Sequence, residues 1–370
     1  MATILVSLVS DQTIPNVLFI KETPNIDRYL LMSTEKMEKQ GKSECIMEGS
    51  GTERSRFFDP LVVVEDSLVD IEEQLKTLDF DDDDHFLVNL TGGTKIMSIG
   101  AYNFFRNRQS EIVYVPIGKN IYRKIFPDAK QRDRDMACRL GVTDYLHSYG
   151  IDILHGDQMN SRLRTPEATA AFFEYFCQAP PEDLAIFDAL RDFRSKKNTP
   201  VDKVNGLTDL LTRCPFKTKH PEKLSKYEVQ YLTGEWFEEY AYTMLKQHFD
   251  LSDTAIGRSV KIQRRQNNAQ NEFDILFTRE NALYVIECKT SIFDPRSAHN
   301  LMNETLHKLA ALRPDFGLFV KAFLFTLSEP GSGQDQIRPA QMERSRLFSI
   351  RVVDGTRLHA VHAGQETLSL

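Results

Sequence analysis

Two β-rich runs joined by a short polar segment constrain this 370-residue chain more than any other feature. Residues 272–278 read Glu-Phe-Asp-Ile-Leu-Phe-Thr, and residues 283–289 read Leu-Tyr-Val-Ile-Glu-Cys-Lys. Such runs on either side of an Arg-Glu-Asn segment predict a β-hairpin. If the turn is centred after Glu280, Asp274 lies directly opposite Glu287 on one face of the sheet. The hairpin would therefore bring two carboxylates together.

Opposed carboxylates in this hairpin indicate a particular chemistry. Side chains alternate along a strand, so Lys289 shares the face of Glu287, whereas Ile286 and Cys288 point to the other side. A Mg²⁺ or Mn²⁺ ion would relieve the repulsion, because hard cations take oxygen ligands and can polarise a phosphoryl oxygen or activate a water. A lysine beside them can steady the developing charge on a phosphate. The pattern indicates metal-dependent phosphodiester hydrolysis, and the alternative is a surface hairpin with solvated charges.

A predicted helix upstream of the hairpin supplies a further acid. Residues 234–245 show helical periodicity, and Glu238 falls at the edge of an apolar stripe that includes Ala241 and Leu245. Glu238 is our candidate for the further acid, with Glu235 as the alternative. Either residue could instead be an ordinary first-turn acid favoured by the helix dipole.

Residues 234–327 resemble a PD-(D/E)xK restriction-endonuclease-like domain. The resemblance rests on the helix and the hairpin, and it implies three surrounding elements: a strand near residues 254–264, a helix over residues 297–312 and a strand over residues 317–327. The proline that usually precedes the first Asp of the motif is absent here. The resemblance implies a catalytic set of Glu238, Asp274, Glu287 and Lys289, in which Asp274, Glu287 and Glu238 hold the metal.

The amino-terminal half carries a second constellation of polar loops. An apolar strand over residues 2–9 leads into a polar loop at residues 10–16 and then a helical stretch. Further on, a β-like run over residues 85–90 ends in Thr91-Gly92-Gly93-Thr94-Lys95, before a helix over residues 96–106. In open α/β sheets ligands bind at the carboxyl ends of strands, where glycines let phosphates or sugars approach the backbone. The spacing is not that of a P-loop, and the alternative is a tight connection without a ligand.

These two segments resemble the CARF domain, a Rossmann-like sensor of cyclic oligoadenylates. The resemblance covers residues 1–135 and rests on Ser10-x-Gln12-x-x-Pro15-Asn16 and Asn89-x-Thr91-Gly92-Gly93-Thr94-Lys95-x-Met97-Ser98. It implies a ligand pocket lined by Ser10, Asp11, Gln12, Thr13, Pro15, Asn16, Asn89, Thr91, Gly92, Gly93, Thr94, Lys95 and Met97. Gly118 and Lys119, after an expected strand over residues 112–117, would extend the pocket, although Lys119 could equally be a solvated turn residue.

A CARF domain followed by a PD-(D/E)xK domain is similar to the cyclic-tetra-adenylate-activated nucleases of type III CRISPR systems. The resemblance implies an α/β chain that forms a homodimer, binds cyclic tetra-adenylate and degrades DNA and/or RNA with Mg²⁺ or Mn²⁺. We expect a Rossmann-like CARF domain over residues 1–135 and a nuclease domain over residues 221–370. Residues 136–220 would be a helical connector, with helices near residues 166–178 and 181–197, or a small winged-helix-like module.

Composition sets outer limits on the function. The net charge of −7 argues against a protein that coats nucleic acid with a basic surface. The five cysteines show no Cys-x-x-Cys spacing, so neither a zinc site nor a disulfide framework is expected. No run is apolar enough to span a membrane and no secretory signal is evident, so we expect a cytoplasmic protein.

A second class of function stays open from the sequence. The chain could be a cyclic-oligoadenylate-sensing regulator that binds nucleic acid or a partner without cleaving. The intact Asp-Glu-Lys set favours the enzyme, because a purely binding module has no need for two opposed acids.

Overall fold

The computed structural model describes residues 1–128, 133–154, 164–294 and 299–370. These residues form two large sheets with helices packed against them. The α/β class predicted from the sequence is confirmed.

The first sheet is built from the amino-terminal strands β1 (Thr3–Leu8), β2 (Arg28–Ser33), β3 (Leu61–Val62), β4 (His85–Asn89), β5 (Ser110–Tyr114), β6 (Ile121–Phe126) and β7 (Arg134–Asp135). Its order is β3-β2-β1-β4-β5-β6-β7. The first five strands are parallel, and the last two add an antiparallel edge. The accompanying helices are α1 (Ile14–Glu22), α2 (Glu35–Lys39), α3 (Lys42–Ser50), α4 (Leu68–Lys76) and α5 (Lys95–Phe105).

Strand β1 lies at the centre of this sheet because its sequence is apolar almost throughout. All positions from Ile4 to Leu8 are buried, as expected for a parallel strand covered on both faces. The strand pairs with β2 on one side and with β4 on the other. The chain therefore adds β2 and β3 on one side of β1 and then continues with β4 on the other side. The position at which the strand order reverses in this way is the switch point at which open α/β sheets bind ligands. The polar loops that follow β1 and β4 both lie at this edge.

The second sheet contains six strands and begins earlier in the chain than the sequence suggested. After α6 (Val142–His147) come β8 (Ile151–Leu154), α7 (Pro166–Gln178), α8 (Pro181–Leu190), β9 (Asn198–Pro200), α9 (Leu207–Arg213), β10 (Lys223–Ser225), α10 (Lys226–Gln230), α11 (Trp236–His248), β11 (Ile256–Arg264), β12 (Gln270–Arg279), β13 (Ala282–Lys289), β14 (Phe293–Asp294), β15 (His299–Asn300), α12 (Leu301–Leu312), β16 (Val320–Thr326), α13 (Pro339–Leu347), β17 (Ile350–Val353) and α14 (Gly355–His362). The sheet order is β17-β16-β13-β12-β11-β8.

The predicted hairpin forms the centre of this second sheet. Strands β12 and β13 are antiparallel, with Ile275 opposite Ile286 and Arg279 opposite Ala282. The two turn residues, Glu280 and Asn281, have positive φ angles of 50° and 58°, as a two-residue hairpin turn requires. The turn therefore lies where the sequence placed it.

Residues 136–220 do not form the separate connector or winged-helix-like module that the sequence suggested. Strand β8 pairs with β11 and so belongs to the second sheet. The helices α7, α8 and α9 bury aromatic and aliphatic side chains in one cluster with α11. The described residues from β8 to α9 are therefore built into the second half of the molecule, and they support the helix that carries Glu238.

Several element boundaries differ by a few residues from the sequence predictions. Helix α1 already begins at Ile14, so the predicted polar loop ends earlier. Helix α12 begins at Leu301, with Asn300 as its cap, whereas the prediction started at residue 297; residues 297 and 298 lie outside the described part. Helix α7 has the predicted bounds, Pro166–Gln178.

The two halves share one continuous hydrophobic core. A single cluster of buried residues includes Val17 and Phe19 from α1, Tyr145 from α6, and Val260 and Leu306 from the second half. Hydrogen bonds cross the same junction, among them one from the Thr278 hydroxyl to the Leu140 carbonyl at 2.7 Å. Among the described residues, no helix combines the length and the apolar character needed to cross a membrane.

Candidate active site and ligand loops

The candidate active site lies where β12 and β13 separate. Their pairing ends at Ile275 and Ile286, after which β12 continues beside β11 and β13 beside β16. Asp274 is the first residue beyond the last pair, and its Oδ2 accepts a hydrogen bond of 2.7 Å from the Cys288 amide. The Asp274 carboxylate thus accepts the hydrogen bond of a β13 amide where the backbone pairing of the two strands has ended, and it lies opposite Glu287.

Lys289 lies between the two carboxylates. Its Nζ is 3.5 Å from Asp274 Oδ2 and 3.6 Å from Glu287 Oε2. Burial alone would lower the pKa of Lys289, but the neighbouring carboxylates of Asp274 and Glu287 raise it above the usual value. Lys289 therefore carries a positive charge at neutral pH. The predicted convergence of these three side chains is present.

Glu238 reaches the same region from the first turn of α11. Its Oε2 accepts a hydrogen bond of 3.5 Å from the Ser259 hydroxyl. Ser259 interrupts β11 with a positive φ of 51°, at the position opposite Asp274 in the strand register. Burial, and then the charge of Asp274, raises the pKa of Glu238 well above its ordinary value. Glu238 therefore lies close enough to Asp274 for the two charges to interact, and it stays the predicted helix acid, with Glu235 as the alternative.

Glu287 is the most enclosed carboxylate at the separation of the strands. Its side chain is 4% exposed, and its Oε1 accepts a hydrogen bond of 2.6 Å from Lys308 on α12. Burial and the charge of Asp274 raise the pKa of Glu287, and Lys289 and Lys308 oppose that rise. The sequence gives no indication of Lys308, because nothing in the local pattern of α12 marks it.

A cavity of about 540 Å³ adjoins this group of acids. Its lining includes Arg258, Ser259 and Lys261 of β11, together with Glu235 and Glu239 of the neighbouring helix region. Glu235, the alternative acid from the sequence, therefore lies at the wall of the cavity. Its charge contributes to the raised pKa of Glu238.

The donor set at the separated strands fits a hard divalent cation. Carboxylate oxygens are the ligands that Mg²⁺ prefers, and it usually takes only one or two carboxylates from a protein. The described residues contain no group of three or more His, Cys, Asp or Glu side chains close enough to hold an ion. Asp274 and Glu287 are the two carboxylates that meet at the separated strands, and the role of Glu238 as a further metal ligand stays a prediction.

The predicted ligand loops of the first half lie against each other. Gly92 and Gly93, after β4, have positive φ angles of 101° and 60°. A Cβ added to Gly92 would lie 2.5 Å from the Leu8 carbonyl oxygen and 3.2 Å from Ser10 Oγ. Only glycine allows this close approach between the loop after β4 and the loop after β1. The loops after β1 and β4 therefore meet at one edge of the sheet.

Six of the predicted ligand residues are buried, namely Thr13, Pro15, Asn16, Asn89, Thr91 and Met97. Asn16 donates to the Leu8 carbonyl at 2.7 Å. Asn89 donates to Ser7 Oγ at 3.2 Å and accepts from the Thr91 amide at 3.0 Å. The Thr91 hydroxyl in turn accepts from the Val115 amide at 2.6 Å. The side chains of Asn89 and Thr91 are thus bonded within the protein, whereas Asn16 Oδ1 is buried without a hydrogen-bond partner among the described residues.

The remaining predicted ligand residues keep accessible surface, and these are Ser10, Asp11, Gln12, Gly92, Gly93, Thr94, Lys95 and Lys119. Thr94 caps α5, accepting from the Met97 amide at 3.2 Å, and its hydroxyl donates to the Glu65 carbonyl at 2.5 Å. Lys95 is exposed at the start of the same helix. This position suits an anionic ligand, because the amides at a helix start attract negative charge.

Gln12 faces the second half of the molecule. Its Oε1 accepts a hydrogen bond from the Tyr149 hydroxyl at 3.2 Å and another from the Leu318 amide at 3.1 Å. Lys119 lies near this contact, at a small cavity that Gln12 and Phe319 also line. The loop after β1 is thus bonded directly to the segment before β16.

Two family models match the chain. The model of the Card1 CARF domain matches residues 4–145, and the model of the Card1-like endonuclease domain matches residues 225–359. None of the curated proteins compared with the chain matches it.

Solved structures with the same overall fold were also found. Can2 from Sulfobacillus thermosulfidooxidans, in complex with cyclic tetra-adenylate, has a TM-score of 0.69 and 21% identity, and covers 97% of this chain and 95% of that one. Protein VC1899 from Vibrio cholerae has a TM-score of 0.73 and 16% identity, over 98% and 96% of the two chains. A type III CRISPR defence DNA nuclease activated by cyclic oligoadenylate has a TM-score of 0.51 and 16% identity, over 93% of this chain and 51% of that chain.

Proposed function

Because the chain belongs to the family of CARF-domain endonucleases, with a Card1 CARF domain followed by a Card1-like endonuclease domain, we propose that it is a metal-dependent endonuclease that a cyclic oligoadenylate activates. Its substrates are DNA and/or RNA, and its setting is type III CRISPR antiviral defence. The observation that carries the proposal is the meeting of Asp274, Glu287 and Lys289 where β12 and β13 separate.

The divalent ion, Mg²⁺ or Mn²⁺, would polarise the scissile phosphate or activate the attacking water. Asp274 and Glu287 would hold it through their oxygens. Lys289 stays protonated beside both carboxylates, so it offers an ammonium group to the water or to the negative charge that develops on the phosphate. Glu238 is the third acid, and burial and the charge of Asp274 raise its pKa well above the ordinary value, so its carboxyl group takes up a proton more readily than a free glutamate.

The activating ligand that we propose is cyclic tetra-adenylate. Its phosphates would meet the ammonium group of Lys95 and the amides that open α5, while Ser10 and Thr94 present polar groups beside them. The Can2 structure holds this ligand on the same fold, which is why we name the ring of four adenylates. A ring of this kind has repeated identical parts, so two copies of the chain would bind it across paired sensor halves as a homodimer.

Cleavage assays test this function directly. Supercoiled plasmid, labelled single-stranded DNA and labelled RNA would be incubated with Mn²⁺, with and without cyclic tetra-adenylate. We expect cleavage that depends on the ligand and that Glu287→Gln abolishes, whereas the exposed Glu343→Gln serves as a matched control and keeps full activity. Tight binding of cyclic tetra-adenylate without cleavage of any substrate would instead identify a regulator.

A further inference from the structure

Lys308 on α12 is a second lysine at the acid cluster, outside the Asp and Glu-x-Lys pattern. Its Nζ lies 2.6 Å from Glu287 Oε1 and 3.0 Å from the carbonyl oxygen of Glu272. Glu272 lies two residues before Asp274 on β12, and Glu287 lies on β13. One ammonium group therefore bridges the two strands at the place where their own pairing has ended.

The contact differs from an ordinary surface ion pair because its acid is enclosed. The Glu287 side chain is 4% exposed, whereas that of Lys308 is 38% exposed. The ring of Phe273 lies beneath the ammonium, 5.4 Å from Nζ to the ring centre. With a packed stem and two oxygen partners, Lys308 holds one geometry while its charged end still reaches solvent.

The two oxygens of Glu287 consequently face different cations. Oε1 is held by Lys308 at 2.6 Å, and Oε2 is directed to Lys289, which also contacts Asp274. We propose that Lys308 is a positioning residue: it fixes the Glu287 carboxylate so that only Oε2, on the Asp274 side, is available to the divalent ion. This inference rests on the proposed metal-dependent cleavage.

The proposal has a consequence that a purely structural lysine would not have. The ammonium group repels a divalent ion at the same carboxylate, so Lys308 weakens ion binding while it orients the ligand. Removing its charge should tighten ion binding and at the same time slow cleavage, because the ion is then held in a less defined geometry.

Manganese titration of the full-length protein tests this separately from activity. The metal-free protein, treated with chelator and dialysed, would be titrated with Mn²⁺ while electron paramagnetic resonance records the free ion, without nucleic acid or activator. For Lys308→Met we expect the dissociation constant at the Glu287-dependent site to fall at least threefold and the cleavage rate to fall at least tenfold. Lys308→Arg, which keeps the charge, should stay within twofold of the wild type in both measurements.

Two further variants assign the effect to Glu287. In a Glu287→Gln background, Lys308→Met should cause no additional change in Mn²⁺ binding. Lys39→Met removes a lysine that contacts Glu35 at the same distance of 2.6 Å on the other half of the molecule, and should leave Mn²⁺ binding unchanged.

Several results would overturn the proposal. Cleavage by Lys308→Met within twofold of the wild type would show that Lys308 has no positioning role. Weaker Mn²⁺ binding together with a lower unfolding temperature would make Lys308 a structural support only. If Lys308→Met does not fold, the same comparison between Lys308→Gln and Lys308→Arg decides. Cleavage by the wild type tests the proposed function, whereas the Mn²⁺ titration without substrate tests Lys308 alone.

Discussion

At the scale of single residues, the acid cluster is costly to the folded protein. Burial and mutual repulsion raise the pKa values of Glu238 and Glu287. A carboxyl group with a raised pKa binds its proton more tightly in the folded than in the unfolded chain. It therefore favours the folded state at low pH, and this contribution is lost as the pH rises through the raised pKa. At neutral pH the ionised carboxylates of the site therefore lower the stability of the folded protein, and a bound metal ion would offset their negative charge.

This cost predicts the effect of neutralising Glu238. In the absence of metal at pH 8, Glu238→Gln should raise the unfolding temperature by about 2 °C or more, since roughly 1 kcal/mol corresponds to a shift of this size in a large domain. The difference should shrink as the pH is lowered towards 5, because wild-type Glu238 then takes up its proton. Thermal unfolding in chelator at several pH values measures this. A destabilisation that is equal at every pH would contradict the assignment.

Lys289 gives a second prediction at this scale. Lys289→Met removes the ammonium group between Asp274 and Glu287, so cleavage should fall by roughly 10²–10³-fold, as when a group that stabilises developing charge is lost. Binding of cyclic tetra-adenylate should stay within twofold, because the sensor loops are untouched. Single-turnover cleavage and ligand titration check the two parts. Near-normal cleavage would exclude Lys289 from the chemistry.

The residues that meet in the β12–β13 hairpin could be predicted from the sequence, but the residues that pack around it could not. Placing Asp274 opposite Glu287 required only the position of the turn and the alternation of a strand. Lys308 and Ser259 reach the site through the packing of α12 and an interruption in β11, and neither leaves a local pattern. The buried Asn89 and Thr91 show the converse, since their motif was visible but their use inside the protein was not.

At the scale of elements, the β12–β13 hairpin connects the two halves. Its turn residue Asn281 is buried against the first half: Oδ1 accepts from the Leu140 amide at 2.8 Å, and Nδ2 donates to the Cys138 carbonyl at 3.0 Å and to Asn120 at 2.7 Å. The turn begins six residues after Asp274, a length of about 20 Å at the rise of a strand. One rigid element thus has its turn at the sensor and its open end at the acids.

Loss of the Asn281 side chain should therefore weaken communication between the halves. Asn281→Gly keeps the positive φ but removes three hydrogen bonds. We expect the stimulation of cleavage by cyclic tetra-adenylate to fall, while ligand affinity changes little. The free energy of unfolding should drop by about 1–3 kcal/mol, because buried backbone groups lose their partners. Asn268→Gly is the matched control, since Asn268 has a φ of 55° in an exposed turn; equal effects in both variants would contradict this role.

It was easier to predict that a helix or strand forms than to predict which sheet a strand joins. Local periodicity and flanking prolines or polar residues predict helix α7 and the hairpin. Strand β8 pairs with β11, more than a hundred residues later, and no local pattern encodes such a partner. That long-range pairing is why residues 136–220 looked like a separate connector in the sequence.

At the scale of the whole molecule, the ligand loop and the second half are in direct contact. Gln12 belongs to the predicted ligand motif, yet its side chain accepts hydrogen bonds from Tyr149 and Leu318. Lys95, on the neighbouring loop, has no such role and is exposed. We therefore propose that Gln12 couples the two halves, whereas Lys95 contacts the ligand.

These roles predict opposite phenotypes. Gln12→Met should reduce ligand-dependent stimulation of cleavage, with affinity for cyclic tetra-adenylate within about threefold, since allosteric coupling is typically 1–3 kcal/mol. Lys95→Met should instead weaken ligand binding roughly tenfold, with full stimulation at saturating ligand. Ligand titration and cleavage at saturation distinguish the two. If Gln12→Met lost affinity as Lys95→Met does, Gln12 would be a ligand contact.

The shared core has a consequence for how the cell is protected from this enzyme. Val17, Phe19 and Tyr145 pack in one cluster with Val260 and Leu306, so a truncated chain that lacked the first half would leave a wide apolar face uncovered. Such a fragment would aggregate or be degraded before it could act. A chain that is truncated by mutation or by a protease would therefore be inactive. Loss of the regulatory half would not release uncontrolled cleavage, because the nuclease half depends on it for folding.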